Sequence, residues 1–163
     1  MGTARGGFYY LVAAEEEVIE NGNRSLQMDF ETTDTPTTTE VETIKTGLSA
    51  SNNAAAPERE FRELGVFVRQ DGEIIGGAYG ASVWDWVHIN YLWVDTEHRK
   101  IGLGAKIMEQ VEQEALQRGC IGVHLDTFSF QALPFYQKLG YEVYGEIEDH
   151  PRGHKRHYLK KTL

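Results

Sequence analysis

Cysteine is almost absent from this sequence: Cys120 stands alone among 163 residues. A single cysteine cannot form an intramolecular disulfide, and low cysteine usage is typical of proteins that work in the reducing cytoplasm. We therefore expect a cytoplasmic protein whose fold depends on its apolar core rather than on covalent cross-links.

Long hydrophobic runs are also missing. No apolar stretch approaches the roughly 20 residues that a membrane-spanning helix requires. Residues 8–14 form a short apolar segment, but the acidic run over 15–17 interrupts it before it reaches the length of a typical secretory signal. The sequence therefore predicts neither a membrane partner nor export.

Basic residues are fewer than acidic residues in this chain. The chain has 16 Lys and Arg residues against 25 Asp and Glu residues, which gives a formal net charge of −9 at neutral pH. Nucleic-acid binding needs clustered cations, so we expect no nucleic-acid partner. An acidic surface steers cationic small molecules toward a protein, but it equally serves as a solvated surface that confers solubility.

The residues that are present suffice for one globular domain. Hydrophobic residues make up 40% of the chain and charged residues 25%, which are ordinary fractions for a folded protein of this length. We place the domain in residues 25–163. Residues 1–24 are treated as an N-terminal extension, either a helical arm or a non-native segment.

Hydrophobic periodicity predicts an α/β or α+β fold. Asp71 and Gly72, between two apolar runs, mark a hairpin turn. A loop is expected over 52–57. Strands are predicted over 25–30, 65–69, 74–82, 87–94, 122–127, 141–147 and 157–163, and helices over 38–51, 58–63, from a glycine-rich turn to 118, and over 131–139.

The strongest signal is Arg99-x-x-Gly102-x-Gly104, which follows the predicted strand over 87–94 and opens the next helix. At a helix start, the unpaired backbone N–H groups and the positive end of the helix dipole favour a phosphate. Glycines there let phosphates approach the backbone without a Cβ in the way. The spacing of a Walker loop is missing, and Ile107 stands where a dinucleotide fingerprint has its third glycine. The pattern predicts a phosphate-binding turn of another kind.

A second motif, together with this turn, resembles a known family. The run Phe135-Tyr136-Gln137-Lys138-Leu139-Gly140-Tyr141 is similar to the second signature of the GNAT superfamily of N-acetyltransferases, whose first signature is Arg/Gln-x-x-Gly-x-Gly/Ala. The resemblance covers residues 25–163. It implies the acyl-CoA N-acyltransferase fold, a mixed, mostly antiparallel six- to seven-stranded sheet with helices on both faces. It also implies an enzyme that moves an acetyl group from acetyl-CoA directly to an amine.

The resemblance assigns acetyl-CoA to the turn and to the strand before it. Backbone amides from Arg99 to Ala105 would hold the pyrophosphate, while Arg99 and Lys100 add positive charge. Main-chain groups of Leu92 and Val94 would bind the pantetheine arm and stabilise the oxyanion, an effect worth about 3–4 kcal/mol. The expected contacts of acetyl-CoA are Leu92, Trp93, Val94, Arg99, Lys100, Ile101, Gly102, Leu103, Gly104, Ala105, Phe128, Gln131 and Tyr136.

Two side chains match catalytic positions of the family. Tyr136 would protonate the departing CoA thiolate, because a phenol with an ordinary pKa near ~10 is protonated at neutral pH. The alternative is an aromatic residue that simply packs on the sheet. His88 would accept the proton of the attacking amine, and Asn90 on the same strand would orient a water molecule. A histidine merely paired within the sheet is the other interpretation of His88.

The acceptor side is less defined. Residues on or beside the hairpin before the His88 strand either line an acceptor cleft or serve as ordinary sheet residues. We expect a primary amine of a small molecule as the acceptor; a protein N-terminus or lysine is an alternative, and so is a CoA-binding sensor without turnover. The candidate acceptor contacts are Tyr79, Trp84, Asp85, Trp86 and Asn90.

No metal is expected at the histidines near the C-terminus. His154-x-x-His157 has a suggestive spacing, but no carboxylate or thiol pattern flanks it. Homodimers are common in the family, and the sequence contains no specific interface signal, so a homodimer stays an open alternative.

Overall fold

The structure, a computed structural model, describes residues 28–55 and 60–163. The chain divides into two compact units, one ending at residue 58 and the other beginning at residue 59. The N-terminal extension over 1–24 lies outside the described residues, as do residues 25–27 of the predicted first strand. The remainder of that strand, residues 28–30, has no regular secondary structure.

The first unit contains helix α1, Thr38–Ala55. Thr37 starts the helix with a capping box: its hydroxyl accepts from the Glu40 amide at 3.3 Å, and the Glu40 carboxylate accepts from the Thr37 amide at 2.6 Å. The hydroxyl and amide of Thr37 both donate to this carboxylate and so lower the pKa of Glu40. The helix includes residues 52–55, which the sequence predicts as loop. Two of these four residues are alanines, the strongest helix formers.

The second unit is built on a six-stranded mixed sheet. Neighbouring strands are antiparallel throughout, except for the parallel pair β3–β4. The predicted fold class, a mixed, mostly antiparallel α/β sheet with helices, is confirmed, but the helices of this unit lie on one face of the sheet and not on both. In the spatial order β1-β2-β3-β4-β6-β5, the strands are β1 (Phe61–Gln70), β2 (Glu73–Val83), β3 (Trp86–Val94), β4 (Gly122–Phe128), β5 (Glu142–Glu148) and β6 (Lys155–Thr162), and the helices are α2 (Leu103–Gln117) and α3 (Leu133–Lys138).

The start of β1 differs from the prediction. Residues 61–63, predicted as the end of a short helix, belong to the strand, while residues 58–59 of that predicted helix lie outside the described residues. The Glu- and Arg-rich sequence favours helix locally. However, β1 pairs with β2 along its whole length, and Leu64 is buried in the core. Pairing and burial outweigh local propensity here.

Both helices of the second unit pack on one face of the sheet. Val87 of β3 pairs with Val123 of β4, and both are buried in an apolar cluster with residues of α2 and α3. Side chains alternate along a strand, so the neighbouring pair His88 and His124 projects from the opposite face. We call this opposite face the histidine face. The helix residues in the shared cluster are Ile107, Met108, Val111, Ala115 and Tyr136.

The end of α2 is fastened to β1 and β2 by Arg118. Its guanidinium donates to the carbonyls of Arg62 and Glu63 at 3.0 and 3.1 Å, and to the Ser82 hydroxyl at 3.1 Å. A further bond to the Glu114 carboxylate measures 2.8 Å. The Arg118 side chain is only 11% exposed, so these charge-assisted bonds form largely away from water.

Candidate active site

The parallel strands β3 and β4 pair only near their beginnings. Their register stops at Ile89↔Leu125, although β3 continues to Val94 and β4 to Phe128. The register of β3 against β2 also shifts here, leaving Asn90 unmatched. Such a bulge bends a strand away from its neighbour. The facing ends of β3 and β4 therefore line a gap, which we call the strand cleft, and present peptide groups to it.

The turn after β3 leaves a helix start open. Gly102 has φ 84°, a left-handed conformation that glycine adopts without strain. The first helical bond runs from the Lys106 amide to the Gly102 carbonyl at 3.1 Å, so the amides of residues 103–105 have no partner within the helix. Arg99 Nε donates to the Val94 carbonyl at 2.9 Å. The turn combines backbone donors, the helix dipole and the cations of Arg99 and Lys100, as an anion site requires.

Gly104 packs closely against α3, a contact that the sequence does not indicate. A Cβ on this residue would lie 3.3 Å from Phe135 Cζ and 3.8 Å from Val94 Cγ2. It would therefore meet the packing of α2 against α3 rather than open space. Around Gly102 nothing lies within 4 Å of the Cβ position. Gly102 is needed for its backbone angle and Gly104 for close packing; the approach of a phosphate to these glycines stays a prediction.

Asp95 fixes the path of the chain between β3 and this turn. Its amide donates to the Ile75 carbonyl at 2.9 Å, and its carboxylate accepts from the Glu97 amide at 3.2 Å. His98 bridges the Asp95 carboxylate and the Gln70 side chain, at 3.0 Å to each. The hydrogen bond to His98 is the main reason why the pKa of Asp95 is lowered. The turn is thus tied to the β1–β2 hairpin.

Tyr136 lies in α3 with its ring buried. The ring makes edge contacts with Phe135 at 5.0 Å and with Tyr141 at 5.9 Å between centroids. Burial, and then the negative charge of Asp126, raise the pKa of Tyr136 to about 12. The phenol is therefore protonated across the physiological range, as a proton donor must be.

Gln131 and Phe128 lie where β4 turns into α3. The Gln131 side-chain oxygen accepts from the Phe128 amide at 2.9 Å and from the Thr127 hydroxyl at 3.2 Å. This contact closes the turn after β4, so Gln131 shapes the rim of the strand cleft. The Phe128 ring stacks on Phe130, with centroids 5.3 Å apart.

His88 and His124 form a stacked pair on the histidine face. Their ring centroids are 4.5 Å apart and the planes are inclined by 25°. Burial lowers the pKa of His88; the charge of Asp126 opposes this effect and that of Arg156 adds to it. Burial and the proximity of His88 lower the pKa of His124 to about 4. Asn90 Nδ2 lies 3.4 Å from His88 Nδ1. His88 is thus predominantly neutral at pH 7, the form that can accept a proton.

An ion pair beside the histidines was missed in the sequence. Arg156 of β6 binds Asp126 of β4 through two bonds of 2.8 Å each. The guanidinium also lies 5.6 Å from the Phe128 ring centroid and 5.3 Å from that of Tyr158. The alternation of His124 and Asp126 in β4 could have indicated a polar sheet face, but nothing local indicates the partner of Asp126.

The expected acceptor residues separate into two groups. Tyr79 is stacked on Tyr91, with centroids 6.4 Å apart, and its hydroxyl donates to Glu63 at 2.9 Å. Trp86 touches His124 edge-on at 6.1 Å. These side chains share the histidine face. Trp84 and Asp85 occupy the β2–β3 turn, ten and nine residues before Val94 at the end of β3, and hence about 30 Å from it. The structure does not bring them to the strand cleft.

The remaining residues assigned to acetyl-CoA follow the strand and the turn. Leu92 and Val94 are partly buried against the apolar cluster. Trp93 points to the histidine face and is 50% exposed, and Ile101 is exposed at the turn. Leu103 packs on the core from the first position of α2, and Ala105 follows in the same turn.

Two negative findings apply to the described parts of the chain. Within residues 28–55 and 60–163, no helix is long and apolar enough to cross a membrane. In the same ranges no three metal-binding side chains cluster together.

Comparison with protein families gives a match over most of the chain. The model of the family described as acetyltransferase (GNAT) family matches residues 25–141. Blasticidin-S acetyltransferase from Streptomyces morookaense is 39% identical over 112 residues, which cover 66% of this chain and 82% of that protein.

Solved structures give the same answer for the fold. An acetyltransferase from Bacillus cereus is 36% identical with a TM-score of 0.75, covering 82% of this chain and 98% of that one. A Bacillus anthracis protein assigned as a streptothricin acetyltransferase, crystallised with acetyl coenzyme A, is 21% identical with a TM-score of 0.57, covering 63% of each chain. The latter similarity concerns the fold alone.

Proposed function

The chain belongs to the acetyltransferase (GNAT) family, and from this premise we propose that it moves an acetyl group from acetyl-CoA directly to a primary amine of a small molecule. The observation that carries the proposal is the strand cleft, followed along the chain by the open start of α2. A cleft lined by peptide groups suits an amide-containing pantetheine arm, and a helix start suits a pyrophosphate. We assign the catalytic domain to residues 25–163.

The residues around the cleft fit acetyl-CoA. The amides of residues 103–105, with Arg99 and Lys100, would hold the phosphates. The end of β3, which contains Leu92 and Val94, would bind the arm through its main chain. Membership of the acetyltransferase (GNAT) family supports this assignment. Bound acetyl-CoA supplies an activated thioester.

His88 is the proposed base. Attack on a thioester requires a neutral amine, whereas a lysine-like ammonium has a pKa ~3.4 above pH 7, so deprotonation costs roughly 4–5 kcal/mol. His88 accepts this proton because burial keeps its ring neutral at pH 7. It precedes Leu92 by four residues, or about 13 Å of strand. The proton therefore passes along a short chain of water molecules, one of which the Asn90 amide orients.

Tyr136 is the proposed acid. When the thioester bond breaks, the leaving thiolate needs a proton, and the phenol of Tyr136 carries one at neutral pH. Amides at the end of β3 stabilise the oxyanion that forms during attack, because donors fixed in advance need no reorganisation.

The proposed acceptor is a small-molecule amine that carries positive charge. The histidine face offers aromatic rings, with Tyr79 and Tyr91 stacked beside the Glu63 carboxylate. The net charge of −9 attracts cations to the protein. The relative named for blasticidin-S supports an acceptor of small size. A protein N-terminus or lysine is the second candidate within the enzyme class.

A screen for CoA release tests the proposal. Purified protein is incubated with acetyl-CoA and a panel of cationic small molecules, free amino acids and peptides, and free thiol is measured. The expected result is thiol release with small cationic amines, abolished or strongly reduced in Tyr136→Phe. If acetyl-CoA raises the melting temperature and no amine releases thiol, the protein is a CoA-binding sensor. If acetyl-CoA has no effect on melting, the donor assignment is wrong.

A further inference from the structure

We propose that His124 is a positioning residue for the acetyl transfer: its ring shields one face of His88 from water and thereby keeps His88 in the neutral form that accepts a proton. The proposal rests on the proposed function, because it concerns the base of that reaction. No motif of the sequence singled out His124. We infer the role of His124 from its position beside His88 in the sheet.

The sheet fixes the two imidazoles against each other. His88 and His124 are directly paired on the parallel strands β3 and β4, and their pairing comes one residue before the register ends at Ile89↔Leu125. The centroid distance of 4.5 Å is ring-on-ring contact, so water cannot enter between the planes. Trp86 holds the His124 ring in place by an edge contact, with the ring centroids 6.1 Å apart. The stack lies immediately before the strand cleft.

The charged side chains around the stack act in opposite directions on its protonation. From β4, Asp126 favours the charged form of both rings; from β6, Arg156 disfavours the charged form of His88. Lys160 of β6 pairs with His124 in the register. From β2, the residue opposite His88 is Ala81, which has no charge.

The pair consequently holds one proton at most in the weakly acidic range. A proton on His88 disfavours a second one on His124, whose pKa is lowered further than its burial alone would produce. His124 therefore stays neutral while His88 titrates. Its influence on His88 under working conditions is that of an apolar ring face that removes solvent, and desolvation is the largest cause of the lowered pKa of His88.

The test compares His124→Ala with His124→Phe. The alanine variant opens one face of His88 to water, whereas phenylalanine keeps a ring there and removes only the titrating group. Two readouts are recorded for wild type and both variants: the NMR titration of the His88 Cε1–H resonance in the free protein, and the acid limb of kcat/KM for an accepted amine. The His88→Ala spectrum identifies the resonance.

The expected result is a shift to higher pH for His124→Ala in both the NMR titration and the acid limb, with His124→Phe close to wild type. An alanine variant with wild-type titration and acid limb would overturn the proposal, as would a phenylalanine variant that shifts as far as alanine does. His124→Asn, which also lacks a ring, replaces alanine if that variant does not fold. The NMR arm needs no acceptor, so it decides the effect of the stack even if no amine is acetylated, an outcome that would refute the proposed function instead.

Discussion

Acidification is expected to destabilise this protein partly through His124. Burial and the neighbouring His88 lower its pKa from 6.5 to about 4 in the folded state. Between these two values the unfolded chain binds a proton that the folded protein does not. The stability contributed by neutral His124 is therefore complete above pH 6.5 and is lost progressively as the pH falls toward 4.

The size of the effect follows from the two pKa values. The interval from 6.5 to about 4 corresponds to about 3.4 kcal/mol, at 1.36 kcal/mol for each pKa unit. The side chain is half-buried rather than fully buried, so solvent screening reduces this figure. We expect a contribution of about 2 kcal/mol to the free energy of unfolding.

Urea unfolding of wild type and His124→Phe, at pH 7 and again at pH 4.5, measures this contribution. Between the two pH values, the free energy of unfolding of wild type should fall by about 2 kcal/mol more than that of the variant, because phenylalanine has no proton to gain. His154→Phe, a replacement of an exposed histidine, is the matched control and should follow wild type. Equal losses in wild type and His124→Phe would show that His124 titrates normally and would refute the reasoning.

Three further changes test the fold and the site. Arg118→Ala should lower the free energy of unfolding by roughly 2–3 kcal/mol in urea titrations, because two β1 carbonyls and a hydroxyl lose a charged donor; a loss under ~0.5 kcal/mol would mean that water replaces the guanidinium. Gly104→Val should lower Tm without acetyl-CoA, and Phe135→Leu should partly restore it, since the added side chain meets Phe135; a normal Tm with weakened acetyl-CoA binding would return Gly104 to the phosphate site. Tyr136→Phe should reduce kcat about 100-fold while the Tm increase caused by acetyl-CoA is retained; an unchanged kcat would remove Tyr136 from the acid role.

Local chemistry made much of the fold predictable. The Asp71-Gly72 turn was found because both residues adopt positive φ, 51° and 88°, as a tight hairpin requires. The glycine-rich turn was found because Gly102 needs a left-handed angle at an open helix start. In each case the physical cause lies within a few residues of sequence, so the pattern and the structure coincide.

The histidine face was not predictable in the same way. His124, Asp126 and Arg156 come together through the register of three strands, and β6 lies between β4 and β5 although it follows both in sequence. Gly104 shows the same limit, because its neighbour Phe135 belongs to another helix. Propensity also failed at the start of β1, where strand pairing overrides a helix-favouring run. Each of these features depends on contacts between residues that are far apart in the sequence.

The short register between β3 and β4 has a mechanical consequence. It divides the sheet into two antiparallel halves of three strands, β1-β2-β3 and β4-β6-β5, joined by the four residue pairs from Trp86↔Gly122 to Ile89↔Leu125. Each half keeps its own ladder intact, and the apolar cluster under α2 joins the two halves. A molecule lying in the strand cleft would hydrogen-bond to both halves at once. While bound, it would add hydrogen bonds between the two halves where the strands themselves are unpaired, and so stiffen the sheet.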